Sequence, residues 1–510
     1  MNYFPVLWCA LLCLSITAAL IPLIRICAIA RALGNDAREF HQTHNRPVPR
    51  LGGLAIAVAF VVAWIVDTLV SAPTPETQHV RWVILGSALA MFVLGFWDDL
   101  LPIGARKKFL WQVLIALGVC AMGLGVELFK NPFTGEIYNV HWAGWILTVL
   151  WLVGMTNLIN LIDGIDGLAG GVSLMLMVLL AVMAASTHGY PLMIAGVAGA
   201  IVGFLFFNFP PARIYMGDGG AYLLGFLIGI LSLVQSHKGT VAAALIAPLV
   251  VLALPILDVT VAIGRRGLRG LPIFRPDRRH LHHRLLQSGF SHRRVVLILY
   301  GFTLMCLVIG FGVFWSEGRL APLALGGVCF VMLVAAQTFG FNREWFSVGR
   351  VLGNSLDMRR ESQYALALAR WLELEGERAA TVEGLWTDFT FLAGKLGFNR
   401  VRLSLPDGSR VWESPRPELP EPTLSSKHEL GATGEMSMEF TAPASAMSDR
   451  MFEHLCELTM EAWVKAAMRW KKVNDSSLAF SARAADASPG RPPLSVLIPA
   501  TKPQDLGSSI

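Results

Sequence analysis

Charged residues are scarce in this chain. Asp, Glu, Lys and Arg together make up 15% of its 510 residues, whereas 54% are hydrophobic and the mean hydropathy is +0.55. Repeated apolar runs in residues 1–340 approach the roughly 20 residues that a helix needs to cross a bilayer. We therefore predict a polytopic, all-α membrane protein rather than a soluble one.

Cysteine is rare and forms no metal-binding pattern. Six of the seven cysteines lie within apolar runs, the seventh is Cys456, and no CxxC motif occurs. A disulfide framework and a zinc site built on cysteine pairs are therefore not indicated. We predict that the cysteines are small core residues.

The first apolar run is not preceded by the basic segment that opens a signal peptide. It continues from Phe4 to Ile29, which is too long for the hydrophobic region of such a peptide. We predict a retained membrane helix at this position.

The net charge of +6 does not mark a nucleic-acid-binding tail. Residues 1–340 hold 22 Lys or Arg against 14 Asp or Glu, whereas residues 341–510 hold 20 against 22. The positive excess belongs to the membrane part, and we predict no nucleic-acid partner.

Eleven transmembrane spans are predicted, and their loops divide into a basic set and a weakly charged set. Seventeen Lys or Arg fall in one set of alternate loops and four in the other. By the positive-inside rule the basic loops are cytoplasmic, the N-terminus is periplasmic and the C-terminal part is cytoplasmic. The predicted spans are 4–30, 51–70, 80–97, 109–128, 142–160, 168–186, 191–207, 221–236, 240–263, 295–315 and 320–340.

Four polar motifs that a membrane span does not need interrupt this pattern. Acidic groups beside hydrocarbon are costly, so they indicate a functional site. All four motifs fall on the predicted cytoplasmic face, although that orientation rests on Lys and Arg alone. They are Asp98-Asp99 after the third span, Asn157 to Gly171 after the fifth, Asn208 to Gly220 after the seventh, and His280, His282 and His283 after the ninth.

The second motif places Asn157, Asn160, Asp163 and Asp166 three residues apart. If the segment is helical, these side chains share one face. The alternative is a helix-ending turn whose Asp and Asn only cap the next helix. Asp98-Asp99 has the same alternative, and the turn that contains Asp218 could be a plain loop.

Carboxylates from three loops suit a hard divalent cation. Such groups hold Mg²⁺ or Mn²⁺ together with substrate phosphates, and the neighbouring His and Arg side chains can donate to anionic oxygens. The arginine-rich loop also serves orientation or binding of anionic lipid. Acids that bind metal beside cations that bind phosphate indicate phosphoryl transfer, in which the protein mainly positions groups and neutralises charge.

After Phe341 the sequence changes to that of a soluble module. Helices are predicted at 357–380, 383–397 and 450–472, with strands at 400–405 and 410–412. The predicted domains are a membrane domain (1–340), a small cytoplasmic α/β or α+β accessory domain (341–473) and a disordered tail (474–510). No catalytic constellation is visible after residue 340, so we interpret this part as an interaction module for a cytoplasmic partner.

The four motifs occur in the order, and between the spans, of a known family. On these motifs residues 1–340 resemble the polyprenyl-phosphate N-acetylhexosamine-1-phosphate transferases, the MraY/WecA-like family. The resemblance implies an Mg²⁺- or Mn²⁺-dependent enzyme that joins a UDP-N-acetylhexosamine to undecaprenyl phosphate and releases UMP. It also implies a multi-pass protein of the bacterial inner membrane, with its active site on the cytoplasmic face.

The resemblance further implies roles for matching positions. Asp218 would hold the metal with Asp99 nearby, and Asp98 and Lys108 would meet the lipid phosphate. Asp166 and Tyr215 would line the uracil pocket, Tyr215 standing where many relatives have Phe. Asn208, Asp163 and the three histidines would contact the diphosphate-sugar, and Arg46 and Arg50 would close the nucleotide side. The predicted catalytic residues are Asp98, Asp99, Asp163, Asp166, His280, His282 and His283; the predicted substrate-binding residues are Lys108, Asn157, Asn160, Asn208, Tyr215, Arg46 and Arg50; and the predicted metal ligands are Asp218 and Asp99.

The histidine spacing His280-Leu-His282-His283 resembles that of the WecA and TagO branch. This resemblance favours UDP-N-acetylglucosamine as donor and the synthesis of O-antigen or another envelope polysaccharide.

One alternative is an MraY-type phospho-N-acetylmuramoyl-pentapeptide transferase. Alternatives from other classes are a transporter or lipid flippase and a membrane anchor for the C-terminal module. Transport sites usually lie near the bilayer midplane in repeated halves, whereas these acids cluster at one face. The sequence leaves the oligomeric state open, a homodimer included.

Overall fold

The computed structural model describes residues 4–30, 48–71, 73–130, 134, 136–187, 189–236, 241–269, 285–286, 289–338, 348–405, 408–414, 423–430 and 436–474. The chain divides into two compact units, Met1–Leu356 and Asp357–Ile510. The predicted disordered tail lies outside the described residues, apart from its first position.

The first unit is a bundle of helices with one short antiparallel hairpin. The hairpin joins β1 (Leu128–Lys130) to β2 (Ile137–Asn139). The helices are α1 (Phe4–Ala30), α2 (Gly52–Val70), α3 (Pro75–Leu100), α4 (Ala105–Val119, followed by a π-helical turn at Cys120–Leu124), α5 (His141–Ile162), α6 (Leu168–Thr187), α7 (Pro191–Asn208), α8 (Gly217–Ser236), α9 (Val241–Val251), α10 (Ala253–Arg269), α11 (His292–Trp315) and α12 (Ala321–Thr338).

Among the described residues, nine of these helices are long and apolar enough to cross a membrane: α1 to α8 and α11. The multi-pass membrane architecture is therefore confirmed. The predicted ninth span is divided between α9 and α10, because Pro255 has no N–H to donate to Val251 one turn earlier. The predicted eleventh span corresponds to α12, in which the described apolar stretch is Ala321–Phe330. The count of eleven and the orientation stay predictions.

Helix α8 is the most deeply buried of the nine candidate spans, since 94% of its most apolar 18-residue stretch is buried inside the bundle. Glycines let its neighbours approach closely, as is common where membrane helices pack. A Cβ on Gly53 of α2 would lie 2.3 Å from the backbone nitrogen of Gly220, and one on Gly95 of α3 would lie 2.5 Å from the carbonyl oxygen of Asp218. The sequence thus places the start of α8 against the backbones of two helices at once.

The other ends of α2 and α3 are joined by a buried ion pair. Arg81 Nε donates to Asp67 Oδ2 at 2.7 Å, and these residues are 4% and 1% exposed. The indole N–H of Trp64 donates to the carbonyl of Arg81 at 2.9 Å. The ring of Tyr190 lies 5.3 Å from the Arg81 guanidinium. Because removing one partner of a buried pair leaves an uncompensated charge, this contact holds α2 and α3 in one register.

The second unit packs three helices with a four-stranded antiparallel sheet. Alternate residues of its central strands, including Val401, Leu403, Met438 and Phe440, are buried, whereas the opposite face of these strands carries charged and hydroxyl side chains. The sequence analysis did not predict the strands at 423–430 and 436–443. The elements are α13 (Val348–Arg378), α14 (Val382–Lys395), β3 (Arg400–Leu405), β4 (Gly408–Glu413), β5 (Thr423–Leu430), β6 (Met436–Pro443) and α15 (Asp449–Asn474), with sheet order β4-β3-β6-β5.

Gly53→Ala is expected to lower the free energy of unfolding by about 1–3 kcal/mol, because the new methyl group would meet backbone rather than a movable side chain. Thermal unfolding of the detergent-solubilised protein measures this change. Gly86→Ala, on the same bundle but with nothing within 4 Å of the added methyl, is the matched control and should be neutral or stabilising. Equal unfolding temperatures for the two variants would contradict this close-packing assignment.

Candidate active site

Asp99, near the end of α3, fixes the start of α8. Its Oδ1 accepts from the backbone N–H of Asp218 at 2.8 Å, and its Oδ2 accepts from that of Gly219 at 2.9 Å. These N–H groups belong to the first turn of α8, so no carbonyl of the helix can accept from them. The helix dipole also favours an anion at this end. Gly217 turns the chain with φ +76°, and a Cβ there would lie 2.3 Å from the carbonyl oxygen of Arg50. Asp99 therefore caps α8, which is the alternative that the sequence analysis gave for this motif, and it orients Asp218.

Lys108 of α4 joins the carboxylates of two other helices. Its ammonium donates to Asp98 Oδ2 and, at 3.2 Å, to Asp218 Oδ2. Asn160 Nδ2 of α5 donates to the other oxygen of Asp218 at 3.0 Å, and the backbone N–H of Ile103 donates to Asp98 Oδ1 at 2.6 Å. Four helices therefore contribute to one cluster. The Asp218 and Lys108 side chains are 30% and 22% exposed, so a ligand can reach them.

The two asparagines of the second motif have different surroundings. Asn160 reaches the acidic cluster, whereas Asn157, three residues earlier, donates to Gln112 Oε1 at 2.6 Å and to the carbonyl of Val153 at 2.8 Å. Asn157 thus connects α5 to α4 in this structure. Its predicted contact with substrate stays a prediction.

Asn208 and Asp166 connect the loop after α5 to the loop after α7. Asp166 Oδ2 accepts from the backbone N–H of Ala212 at 2.9 Å. Asn208 Oδ1 accepts from the N–H of Gly167 at 2.9 Å, and its Nδ2 donates to the carbonyl of Ile214 at 2.8 Å. Asn208 is 2% exposed and uses both ends of its amide inside the protein. Asn208 therefore joins the two loops in this structure, and its predicted contact with the diphosphate-sugar stays a prediction.

The segment before α2 pairs with the loop that carries Tyr215. The backbone N–H of Tyr215 donates to Pro49, and that of Gly52 donates to Tyr215, both at 2.9 Å. Burial and the charge of Asp166 raise the pKa of the Tyr215 hydroxyl, while Arg50 opposes this shift. Tyr215, Asp166 and Arg50 therefore share one electrostatic environment beside the acidic cluster.

Asp163, directly after α5, faces the other carboxylates. Burial, followed by repulsion from Asp218 and Asp99, raises its pKa well above the ordinary 3.8, and Arg50 opposes that shift. The proton is therefore held more strongly in the folded protein than in the unfolded chain.

Helix α11 holds both loops from behind, a role that the sequence analysis missed. The Tyr300 hydroxyl donates to the carbonyl of Gly167, which has φ +79°. Arg293 Nε donates to the carbonyl of Pro210 at 2.8 Å. Gly171 leaves room for Tyr300, since a Cβ there would lie 2.1 Å from its hydroxyl oxygen. These contacts join residues more than 80 positions apart and have no sequence signal of their own.

Four predicted site residues lie outside the described residues: Arg46, His280, His282 and His283. Their predicted contacts with the nucleotide and the diphosphate-sugar stay predictions.

The donor chemistry fits a divalent cation that arrives with phosphate. Within the described ranges, no group of three or more His, Cys, Asp or Glu side chains could hold a metal ion. Asp98 and Asp218 nevertheless converge on a single ammonium, that of Lys108. Two carboxylates completed by substrate phosphates are a common way for proteins to hold Mg²⁺. Asp218 is the better placed of the two predicted ligands, because its side chain is 30% exposed and contacts only movable side chains, whereas both oxygens of Asp99 accept backbone N–H groups.

Fold and site together define a polytopic membrane protein with an acidic, lysine-containing site at one end of its helix bundle. Comparison with known proteins identifies the class further. The model of glycosyl transferase family 4 matches residues 81–236, a segment that carries Asp98, Asp99, Lys108 and Asp218.

The match with this chain covers most of the length of several curated relatives. A probable undecaprenyl-phosphate N-acetylglucosaminyl 1-phosphate transferase of Bacillus subtilis is 37% identical over 269 residues, which are 52% of this chain and 73% of the relative. A decaprenyl-phosphate N-acetylglucosaminephosphotransferase of Mycobacterium tuberculosis is 32% identical over 314 residues, or 56% and 77%. A phospho-N-acetylmuramoyl-pentapeptide-transferase of Bacillus subtilis is 29% identical over 322 residues, or 60% and 96%. The chain belongs to glycosyl transferase family 4, as its motifs predicted.

Asp163→Asn is expected to stabilise the protein increasingly as the pH rises. Because the pKa of Asp163 is raised, the unfolded chain gives up this proton at lower pH than the folded protein does. Stability is therefore lost as the pH rises from about 3.8 through the raised pKa, and Asn removes that loss. Thermal unfolding of both proteins between pH 4.5 and 8 measures the difference.

Glu127→Gln, at an exposed position in the same unit, is the control and should show no such trend. A stability difference for Asp163→Asn that is the same at every pH would contradict the assignment.

Proposed function

We propose that this chain transfers an N-acetylhexosamine 1-phosphate from a UDP-sugar to undecaprenyl phosphate, giving undecaprenyl-diphosphate-sugar and UMP. The observation that carries the proposal is the convergence of Asp98, Lys108 and Asp218 in a membrane protein of this family. GlcNAc is the favoured sugar, because the relatives named for N-acetylglucosamine transfer are 37% and 32% identical and the one named for the muramoyl-pentapeptide is 29% identical.

An apolar groove between the end of α5 and the helices α6, α10 and α11 is a candidate site for the lipid acceptor. Its members on α5 are Leu161 and Ile162, which follow Asn160 in the sequence. The groove is lined by Leu161, Ile162, Leu168, Val172, Leu254, Pro255, Asp258, Val259, Leu299 and Thr303.

The lipid phosphate needs little help from a base. A phosphate monoester has a second pKa near 6, so the acceptor is largely dianionic at neutral pH. One of its oxygens attacks the β-phosphorus of the UDP-sugar, and a new P–O bond forms. The bond from the β-phosphorus to the bridging oxygen breaks, and UMP leaves with that oxygen. Lys108 would hold the attacking phosphate, while Asp98 would position Lys108.

The donor would lie against the wall formed by Asp166, Tyr215 and Arg50. Arg50 is suited to the anionic nucleotide, and Tyr215 offers an aromatic face and a hydroxyl. Asn208, Tyr300 and Arg293 would hold this wall in place from behind. Asp218, with Asp99 nearby, would hold Mg²⁺ or Mn²⁺, which when bound supplies neutralisation of the diphosphate charge.

The seventeen basic residues in alternate loops support an inner-membrane protein with this site on the cytoplasmic face, where UDP-sugars are made. The product would then initiate O-antigen or another envelope polysaccharide. A transporter is disfavoured because the acids described above gather at helix ends rather than on broken helices at the midplane.

The direct test is release of UMP by the purified full-length protein with undecaprenyl phosphate, UDP-GlcNAc and Mg²⁺. We expect UMP and lipid-diphosphate-GlcNAc in equal amounts, loss on chelation, and loss of at least a hundredfold in Asp218→Ala. Lys427→Ala, on the second unit, is the control and should be fully active. Turnover with the UDP-muramoyl-pentapeptide alone would reject the sugar assignment, and no UMP with either donor would reject the function.

Asp98→Asn is expected to retain measurable turnover that depends only weakly on pH between 7 and 9. The reason is that the lipid phosphate is already ionised throughout this range. The initial rate of UMP release across the range checks this expectation. Activity that recovers steeply with rising pH would show instead that a base was lost.

A further inference from the structure

Helix α4 carries Lys108, yet it is the least buried of the helices around the acidic cluster. Of its most apolar 18-residue stretch 28% is buried, compared with 44% in α5 and 94% in α8. The fully buried residues of α4 are Gln112, Ala116 and Val119. They lie on one face with Lys108, because successive members are three or four positions apart. Gln112 is the member nearest Lys108 and the only polar one, so the position of Lys108 depends on what Gln112 contacts.

Gln112 binds a helix that is itself firmly held. Its Oε1 accepts from Asn157 Nδ2 of α5 at 2.6 Å. Helix α5 is fixed against α8 by the indole N–H of Trp151, which donates to the carbonyl of Gly229 at 3.1 Å and to the hydroxyl oxygen of Ser232 at 3.0 Å. Hydrogen bonds between side chains and neighbouring helices are a common means of joining membrane helices. The Gln112–Asn157 hydrogen bond thus ties α4 to the buried part of the bundle.

The Gln112–Asn157 pair lies one helical turn from the acidic cluster on both helices. Gln112 follows Lys108 by four residues, and Asn157 precedes Asn160 by three, so each shares a helix face with its neighbour. Lys108 and Asn160 both donate to Asp218. The pair therefore sets the separation of two donors that approach the same carboxylate from different helices.

Stability alone does not explain a glutamine at this position. Gln112 is 1% exposed, and its Nε2 has no hydrogen-bond partner within the described part of the chain. A buried donor without a partner costs free energy, a cost that an apolar side chain of similar length would avoid. Asn157 Nδ2 also donates to the carbonyl of Val153 at 2.8 Å, so it keeps a partner without Gln112. Local costs of this kind are typical of functional sites.

We propose that Gln112 is a positioning residue for the transfer reaction: through Asn157 it holds α4 so that the Lys108 ammonium stays between Asp98 and Asp218. The inference rests on the proposed function, in which Lys108 holds the phosphate of the lipid acceptor. Without Gln112, the first turns of α4 move more freely and Lys108 leaves the two carboxylates more often. Lys108 then meets the acceptor phosphate less often, whereas the binding of the UDP-sugar is unaffected.

Lysine labelling tests this role without requiring activity. The full-length protein in detergent is treated briefly with formaldehyde and cyanoborohydride, which methylate accessible amines. Mass spectrometry with peptide fragmentation distinguishes Lys108 from Lys107, which is exposed on the same helix and serves as the internal reference. Gln112→Met should raise the methylation rate of Lys108 relative to Lys107 roughly fivefold, the factor that corresponds to the loss of one hydrogen bond.

Further measurements separate positioning from a purely structural role. Leu114→Met, on the exposed side of α4, is the matched control and should leave the labelling unchanged. Adding Asn157→Leu to Gln112→Met should raise the labelling no further, because the two side chains form one contact. The unfolding temperature of Gln112→Met should equal or exceed that of the unmodified protein. A lower unfolding temperature with faster labelling of both lysines would show a structural role and overturn the proposal.

Kinetics test the consequence for the reaction. Gln112→Met should raise the KM for undecaprenyl phosphate roughly fivefold, while the KM for UDP-GlcNAc stays unchanged. If the unmodified protein releases no UMP, the proposed function fails, and the labelling still decides whether Gln112 positions Lys108. If UMP is released and Gln112→Met matches the unmodified protein in labelling and in KM, the inference about Gln112 fails.

Discussion

The site depends on one contact, the carboxylate of Asp99 against the first turn of α8. A carboxylate near hydrocarbon is costly, and here two backbone N–H groups and the positive end of a buried helix reduce that cost. The same contact decides where α8 begins, and so where Asp218 points. Every other part of the acidic cluster is arranged around that position, from Lys108 on α4 to Asn160 on α5.

The cluster shows how a membrane protein can hold several charged side chains together. One ammonium, that of Lys108, serves Asp98 and Asp218, while amide and backbone donors satisfy the remaining oxygens. A phosphate that enters this site meets a cation whose present partners are two acids. In the proposed reaction, the substrate phosphate would replace a carboxylate as the partner of Lys108, and positioning would be the main contribution of the protein to phosphoryl transfer.

Sequence reasoning predicted the multi-pass architecture and singled out the acidic residues, because long apolar runs and the charges beside them are visible in the sequence itself. It did not show which of Asp98 and Asp99 caps a helix, because only the packing of α3 against α8 reveals this. It assigned Asn208 to substrate, and it could not show that both ends of this amide also bind backbone groups of the two loops. Tyr300 has no motif and acts through a carbonyl 133 residues away. Strand β5, with the polar sequence Thr-Leu-Ser-Ser-Lys-His-Glu-Leu, has too few apolar residues to predict a strand.

Helices α2 and α3 are fastened at both extremities, by Arg81 and Asp67 at one and by the close approach of both helices to α8 at the other. If one of these helices slipped by one turn, about 5.4 Å, a buried charge would lose its partner at the first contact. At the second contact, backbone atoms would clash. Asp98 and Asp99, at the end of α3, are for that reason held in fixed positions. In the proposed reaction, sugar donors that differ in bulk must therefore be accommodated outside α2 and α3, so sugar preference should depend on other parts of the chain.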